Sequence, residues 1–377
     1  MARSIVSPHD QRATFVELFF DLVFVFGITQ VVGLLHHHLD WVGAGQAVLV
    51  FWLVWWAWTQ FTWALNAADT THPAVELGTL VATAVAFFMA IAIPDAFAGR
   101  ALWFALPYVA VRVLGLGLYI WVASSDRAHR QAVATFALVS SGGLIAAILG
   151  GVAGGTTQYY LWGLTIVLDV VAAAIGGSSG EWNLHPEHFA ERHGLIVIIA
   201  LGESLIVAAG GATGSGLAGP VLAVAVLGVL TTCVLWWTYF PVAKPELEEA
   251  LSRAEGARQA GVARDAYSLA HFPMVCGIIA FAVALEEAVR HPGEPLSTAT
   301  RLALALGLLL FVGGTALAMW RATCGRPIRR VVIIAVTGAV VFFMGDVPSA
   351  ASLGAALAGV LLVAALDEIN AARVSLA

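Results

Sequence analysis

An all-α bundle of membrane-spanning helices is the fold class this sequence predicts. Three observations predict it: 377 residues of which 60% are hydrophobic, a charged fraction of only 11%, and a mean hydropathy of +0.88. A soluble domain carries about 25% charged residues, so the composition excludes one. The net charge of −6, from 18 Lys and Arg against 24 Asp and Glu, gives no basic excess for neutralising phosphates, and nucleic acid is not an expected partner. Cys233, Cys276 and Cys324 form no CxxC or similar cluster, which points away from a disulfide framework or a cysteine-built metal site.

A span needs about 20 mostly apolar residues, because a helix rises about 1.5 Å per residue and the hydrocarbon core is about 30 Å thick. Twelve stretches meet that need. The first, over residues 14–35, carries Glu17 and Asp21, and no small-residue cleavage site follows it, so a retained helix is expected. The second, 46–65, holds Trp55, Trp56, Trp58 and Trp63, and the third, 74–94, follows Asp69 and His72. The fourth, 101–123, has Arg112 at its centre. The fifth, 131–151, ends at paired glycines that mark a turn or close packing, and the sixth, 158–176, carries Asp169. The seventh, 193–210, is entered through His185-Pro186 and carries Glu203, and the eighth, 217–240, ends in Trp236-Trp237. Residues 266–289, 298–320, 328–345 and 349–366 supply the last four.

Lys and Arg collect on the cytoplasmic side of membrane proteins. With the N-terminus inside, the inner segments hold 14 of the 18, from Arg3 and Arg12 through Arg127, Arg192 and Lys244 to Arg373, whereas Arg100, Arg290 and Arg301 fall outside and Arg112 lies within a helix. The asymmetry predicts a multi-pass membrane protein with both termini cytoplasmic. Halving the chain at 1–180 and 181–377 gives six helices to each part. Weak likenesses between the parts, including a Trp-Trp pair in the second helix of each, are compatible with a six-plus-six repeat. The longest polar stretch, 243–264, alternates charge sign at helical spacing and is read as a cytoplasmic connector, in part a solvated amphipathic helix.

Functional candidates are the polar groups that hydrocarbon does not tolerate, since a charge at a helix centre costs about 2.5–3.5 kcal/mol on insertion scales. They are Glu17, Asp21, Arg112, Asp169, Glu191, Arg192 and Glu203. Glu17 and Asp21, four apart, share a helix face, where two adjacent carboxylates suit a proton relay, a cation site or a structural pair with an arginine. Counting from the helix ends puts Asp21 and Asp169 roughly 10 Å deep, where they could share one layer, and Glu203 and Arg112 roughly 15 to 16 Å deep, where they could meet. His188, Glu191 and Arg192 fall at i, i+3 and i+4 and share a face at the rim, and Pro186 pre-sets a helix start with Glu187 in its first turn. His185, His188 and Glu191 are suitable metal-ligand types. Their spacing is neither HExxH nor ExxH, however, so interfacial hydrogen bonding or proton transfer is the stronger reading and no metal is assigned.

Three segments, TFVELFFDLVFVFGITQV from Thr14, the tryptophan-rich FWLVWWAWTQFTWALN from Phe51, and HFAERHGLIVIIALGESLIV from His188, together resemble the low temperature requirement protein A family of bacterial membrane proteins. The positions that carry the resemblance are Glu17, Asp21, Glu191, Arg192, Gly202 and Glu203, while His193 departs from the expected apolar or aromatic residue. The resemblance implies a multi-pass inner-membrane protein tied by its family name to growth in the cold, without naming a substrate. From the residues, the leading function is a proton- or cation-coupled transporter using buried carboxylates. An intramembrane enzyme acting on a lipid or isoprenoid-like substrate, with Glu17, Asp21 or Glu203 as general acid or base, is the alternative, and a non-catalytic sensor or stability factor is the third. The expected partners are membrane lipids and a small molecule or ion; the residues name no cofactor.

Overall fold

The computed structural model describes residues 5–7, 11–123, 127–177, 182, 184–215 and 219–375. Arg3 and the side chains of Arg127 and Arg373, three of the predicted inner charges, lie outside the described residues. The predicted all-α membrane bundle is what forms: fourteen α-helices among the described residues, with strand-type pairing confined to single bridges at Val6 with Ala68 and Pro295 with Pro348.

In chain order the helices are α1 (Phe15–His37), α2 (Trp41–Ala67), α3 (Pro73–Ile91), α4 (Ala101–Val122), α5 (Arg127–Ala153), α6 (Gly155–Gly177), α7 (Pro186–Ser215), α8 (Gly219–Thr238), α9 (Lys244–Arg253), α10 (Gly256–Val262), α11 (His271–Arg290), α12 (Thr298–Thr323), α13 (Ile328–Phe343) and α14 (Ser349–Ser375). Wider π-type turns at Tyr239–Ala243 and Ala263–Leu269 join α8 to α9 and α10 to α11, so the described residues form twelve continuous helical runs. Ten of these are long and apolar enough to cross a membrane. The other two are α7 and α13, and the 16 residues of α13 reach only about 24 Å.

Helix ends follow local chemistry more than the edges of the apolar windows. The Asp40 carboxylate accepts from the Gly43 N–H at 2.8 Å and starts α2 five residues before the predicted apolar stretch. Pro186 opens α7 with Glu187 in its first turn, as predicted, which draws Arg192 into the helix. The turn between α5 and α6 puts Gly154 at φ 63° and Gly155 at φ 53°, a left-handed conformation that glycine adopts without a Cβ penalty.

The 243–264 stretch forms α9 and α10, and Leu247 and Leu251, four residues apart on α9, are fully buried. An apolar pair at that spacing makes one stripe, which packs and leaves the charges on the other side.

The chain divides into two compact units, Met1–Ile196 with Leu251–Arg264, and Val197–Ala250 with Asp265–Ala377. In the first, α1 packs on α2 and α3, α4 packs on α2, α3 and α5, and α6 packs on α5 and α2. In the second, α12 packs on α11 and α13, and α14 on α8 and α13. The α11–α12 approach is backbone-close: a Cβ added at Gly277 would lie 2.6 Å from the Gly307 carbonyl oxygen, so small residues set that interface. Polarity runs inside out, as expected where lipid is the solvent. Phe15, Leu138 and Phe343 are exposed while Glu17, Asp21, Arg112, Asp169 and Arg192 are fully buried.

Candidate functional site

The centre of the first unit is α2, which buries almost all of its C-terminal half, from Val50 to Ala67. A span must satisfy its own backbone, so a polar side chain on it needs a partner from another helix. Trp58 and Gln60 are two residues apart, about 200° of helical rotation, and therefore project to roughly opposite sides. Each meets a different buried ion cluster.

On the Trp58 side, Glu17 and Asp21 occupy successive turns of α1 and face Arg192 of α7. The guanidinium donates from Nη2 to Asp21 Oδ1 at 2.6 Å and from Nε to Asp21 Oδ2 at 3.1 Å, and from Nη1 to Glu17 Oε1 at 2.6 Å. It thus bridges the acids that the sequence placed on one face, and both pairs are fully buried. Two-point binding of a planar guanidinium by a carboxylate fixes direction as well as distance. The Trp58 indole donates to Asp21 Oδ1 at 2.7 Å, and its ring lies 5.9 Å from the Arg192 guanidinium carbon. Glu17 Oε2 accepts from the Thr14 N–H at 2.9 Å and the Thr14 hydroxyl at 3.0 Å, which anchors the carboxylate to the start of its own helix.

His188 completes the cluster, with Nε2 at 3.0 Å from Glu17 Oε1. Its protonation follows from Asn66 on α2. The Asn66 amide is clamped onto the His185 backbone, Oδ1 accepting from the N–H at 2.8 Å and Nδ2 donating to the carbonyl at 3.0 Å. That orientation turns Nδ2 toward His188 Nδ1 at 3.0 Å, so Nδ1 accepts and Nε2 carries the hydrogen donated to Glu17. In this arrangement His188 is neutral, and two carboxylates stand against one guanidinium.

On the Gln60 side, Arg112 of α4 donates from Nη2 to Asp169 Oδ1 of α6 at 2.9 Å, from Nη1 to the Tyr108 hydroxyl at 2.6 Å, and from Nε to Gln60 Oε1. Gln60 Nε2 returns a hydrogen bond to the Arg112 carbonyl at 2.9 Å, and Trp52 lies beside Asp169. Here one guanidinium meets one carboxylate, both fully buried.

The predicted site residues are therefore sorted by the structure. Glu17, Asp21, Arg192 and His188 come together, and Arg112 and Asp169 form a second group. Arg112 pairs with Asp169 of its own unit, a partner that depth did not suggest, because depth along a helix says nothing about which face of a neighbour is opposite. Glu203 is buried on the part of α7 that belongs to the second unit. Arg192, counted as a rim charge, is fully buried. Glu191, expected to share its face, is partly buried and accepts from the Ala13 N–H at 3.0 Å, tying α7 to the segment before α1. His185 contributes its backbone to Asn66. His193 is buried with its ring edge-on to Trp58 at 5.0 Å.

Trp58, Gln60, Asn66 and Tyr108 were not among the predicted site residues. The signal for two of them was present, since Gln60 and Asn66 are uncharged polar residues inside an apolar stretch that offers them no solvent.

The bacterial low temperature requirement A protein description matches residues 12–365. The chain belongs to this family. Both ion clusters fall within the matched residues, and so do all seven buried or partly buried charged residues singled out from sequence. The chain is also 33% identical over 322 residues to an uncharacterized protein of Rhizobium meliloti (strain 1021), covering 82% of this chain and 76% of that protein. No solved structure matches the chain. Family membership and the helix bundle agree on a multi-helix membrane protein.

Proposed function

We propose that this protein is a proton-coupled transporter of the plasma membrane, with both termini cytoplasmic, in which the Glu17–Asp21–Arg192–His188 cluster takes up and releases the coupling proton. The observation that carries the reading is the charge count of a fully buried cluster: two carboxylates, one guanidinium, and a histidine held neutral by the hydrogen bond from Asn66. Burying an unbalanced charge costs several kcal/mol, so the cluster is more comfortable with one proton added than without it. His188 and Glu17 already share a hydrogen bond along which that proton would be held. Protonating His188 at Nδ1 sets its new N–H against the Asn66 amide nitrogen, which must then turn away and release its clamp on the backbone at the start of α7. Proton uptake is coupled in this way to the junction of α2 and α7, and a cargo whose affinity depends on that junction would be moved with the proton.

The test is proton flux into liposomes containing the purified protein, scanned across candidate solutes. Solute-dependent proton movement is expected from the wild type and from Arg112→Met/Asp169→Leu, and is expected to be lost in His188→Gln and Asp21→Asn. Well-folded wild-type protein that moves no proton with any solute, or His188→Gln protein that transports normally, would overturn the proposal.

A further inference from the structure

We propose that the second unit binds one anionic phospholipid at the turn between α12 and α13, its phosphate on Arg326 and Arg329 and one acyl chain in the groove beside α12. The 26-residue α12 spans about 39 Å, enough to cross the hydrocarbon, so the turn after Thr323 lies at a membrane surface. There the chain reverses through Cys324, at φ 60°, and Pro327 before α13 begins at Ile328.

Two cavities adjoin at this turn and share Arg326 and Pro327. One, of 530 Å³, is an apolar groove lined by Gly313, Ala316, Leu317, Trp320, Ile328 and Val331. The other, of 630 Å³, is of mixed character, and its lining includes Arg326, Arg329 and Arg330 together with Glu246, Asp367 and Asn370. Both volumes fall in the range of about 300–1,000 Å³ usual for ligand sites.

The three arginines are not equivalent. Arg330 is buried and held within the protein, 3.3 Å from Asp367 and donating to the Thr238 carbonyl at 2.8 Å. Arg330 is balanced by Asp367, whereas the exposed Arg326 and Arg329 make no ion pair among the described residues, which leaves both guanidiniums available to an anion at the mouth of the apolar groove. Trp320 lines the groove at the same level, where an indole sits at the lipid–water boundary. A phosphate bridged by two guanidiniums, with a hydrocarbon tail running down the groove, matches both halves. Inorganic phosphate would use only the arginines, and a zwitterionic lipid would gain little from them.

The experiment is native mass spectrometry of the solubilised full chain with dioleoylphosphatidylglycerol, dioleoylphosphatidylcholine or inorganic phosphate. Three variants accompany the wild type: Arg326→Gln/Arg329→Gln, Arg326→Lys/Arg329→Lys, and Gly313→Leu. A Cβ at Gly313 meets open space, so leucine enters the groove without disturbing the helix packing. The expected result is retention of phosphatidylglycerol about tenfold above phosphatidylcholine, lost in the Gln pair, largely kept in the Lys pair, and lowered in Gly313→Leu. Equal retention of the two lipids, indifference to the Gln pair, or inorganic phosphate that displaces all bound lipid while Gly313→Leu has no effect would each overturn the proposal.

Discussion

Two buried arginines are reached from α2, and they are held differently. Arg112 has one carboxylate, Asp169, and fills its other donors with the neutral oxygens of Tyr108 and Gln60. Arg192 has two carboxylates, Glu17 and Asp21, and a histidine at hydrogen-bond distance from one of them. The first arrangement closes with no net charge and has no reason to change. The second closes only when a proton is added, and it contains an imidazole whose Nδ1 can accept one. A balanced pair is how a bundle fixes the register of its helices. An unbalanced one, at similar burial, is where a membrane protein can couple a proton to a helix movement.

The sharpest way to break the comparison is to remove each arginine. Arg192→Met strands two acids in the interior and is expected to destabilise the protein by more than the about 3–5 kcal/mol that breaking one buried pair costs. Arg112→Met strands one acid and falls within that range. Melting curves of the solubilised variants check the order, and an Arg192 variant that melts with the wild type would show that Glu17 and Asp21 are neutralised by something other than the guanidinium.

Double substitution comes next. Replacing both members of a buried ion pair with apolar residues of similar volume is often neutral, so Arg112→Met/Asp169→Leu is expected to recover most of the lost stability and to keep transport. Arg192→Met/Asp21→Leu leaves Glu17 and His188 behind, and is expected to recover stability only in part and to move no protons. If the Arg112 double variant is stable but silent in the flux assay, that pair belongs to the transport pathway and the contrast between the clusters collapses.

Much of this was legible beforehand, and the reasons differ by feature. The helices were readable because each must present about 20 apolar residues to lipid, whatever it packs against. Glu17, Asp21, Arg112 and Asp169 were readable because a charge in such a stretch is anomalous on its own. Pairing was not readable: Arg112 and Asp169 were placed at different depths, and partner choice depends on how each helix is rotated, which the apolar stretches around them do not record. Arg192 was assigned to the rim because the apolar window starts after it, whereas the helix starts at Pro186. The packed stripe of α9 was obscured by its charges, which outnumber Leu247 and Leu251.

His188→Gln sharpens the comparison with a smaller effect. Glutamine can still donate to Glu17 and accept from Asn66, so the stability cost is expected to be about 1 kcal/mol, as for one rearranged hydrogen bond. Glutamine cannot take a proton, and proton-coupled flux is expected to disappear while the protein stays folded. A variant that moves protons as the wild type does would remove His188 from the proton cycle and overturn the proposed coupling.

The smallest effect is expected at Trp58. Trp58→Phe removes the indole N–H that Asp21 Oδ1 accepts at 2.7 Å but keeps an aromatic ring near Arg192 and His193. Asp21 Oδ1 still has Arg192 Nη2 at 2.6 Å, so no buried acceptor is stranded and the cost is expected to be about 1 kcal/mol. The indole nevertheless helps hold Asp21 against Arg192 in the cluster that handles the proton, so its loss is expected to slow proton-coupled flux in the liposome assay a few-fold. Gln60→Met, the matching loss of a neutral partner from Arg112, removes no bond from that cluster and is expected to leave the flux unchanged. Slowing of equal size in both variants would mean that α2 transmits the state of either cluster to the other, and that the balanced pair takes part in the proton cycle after all.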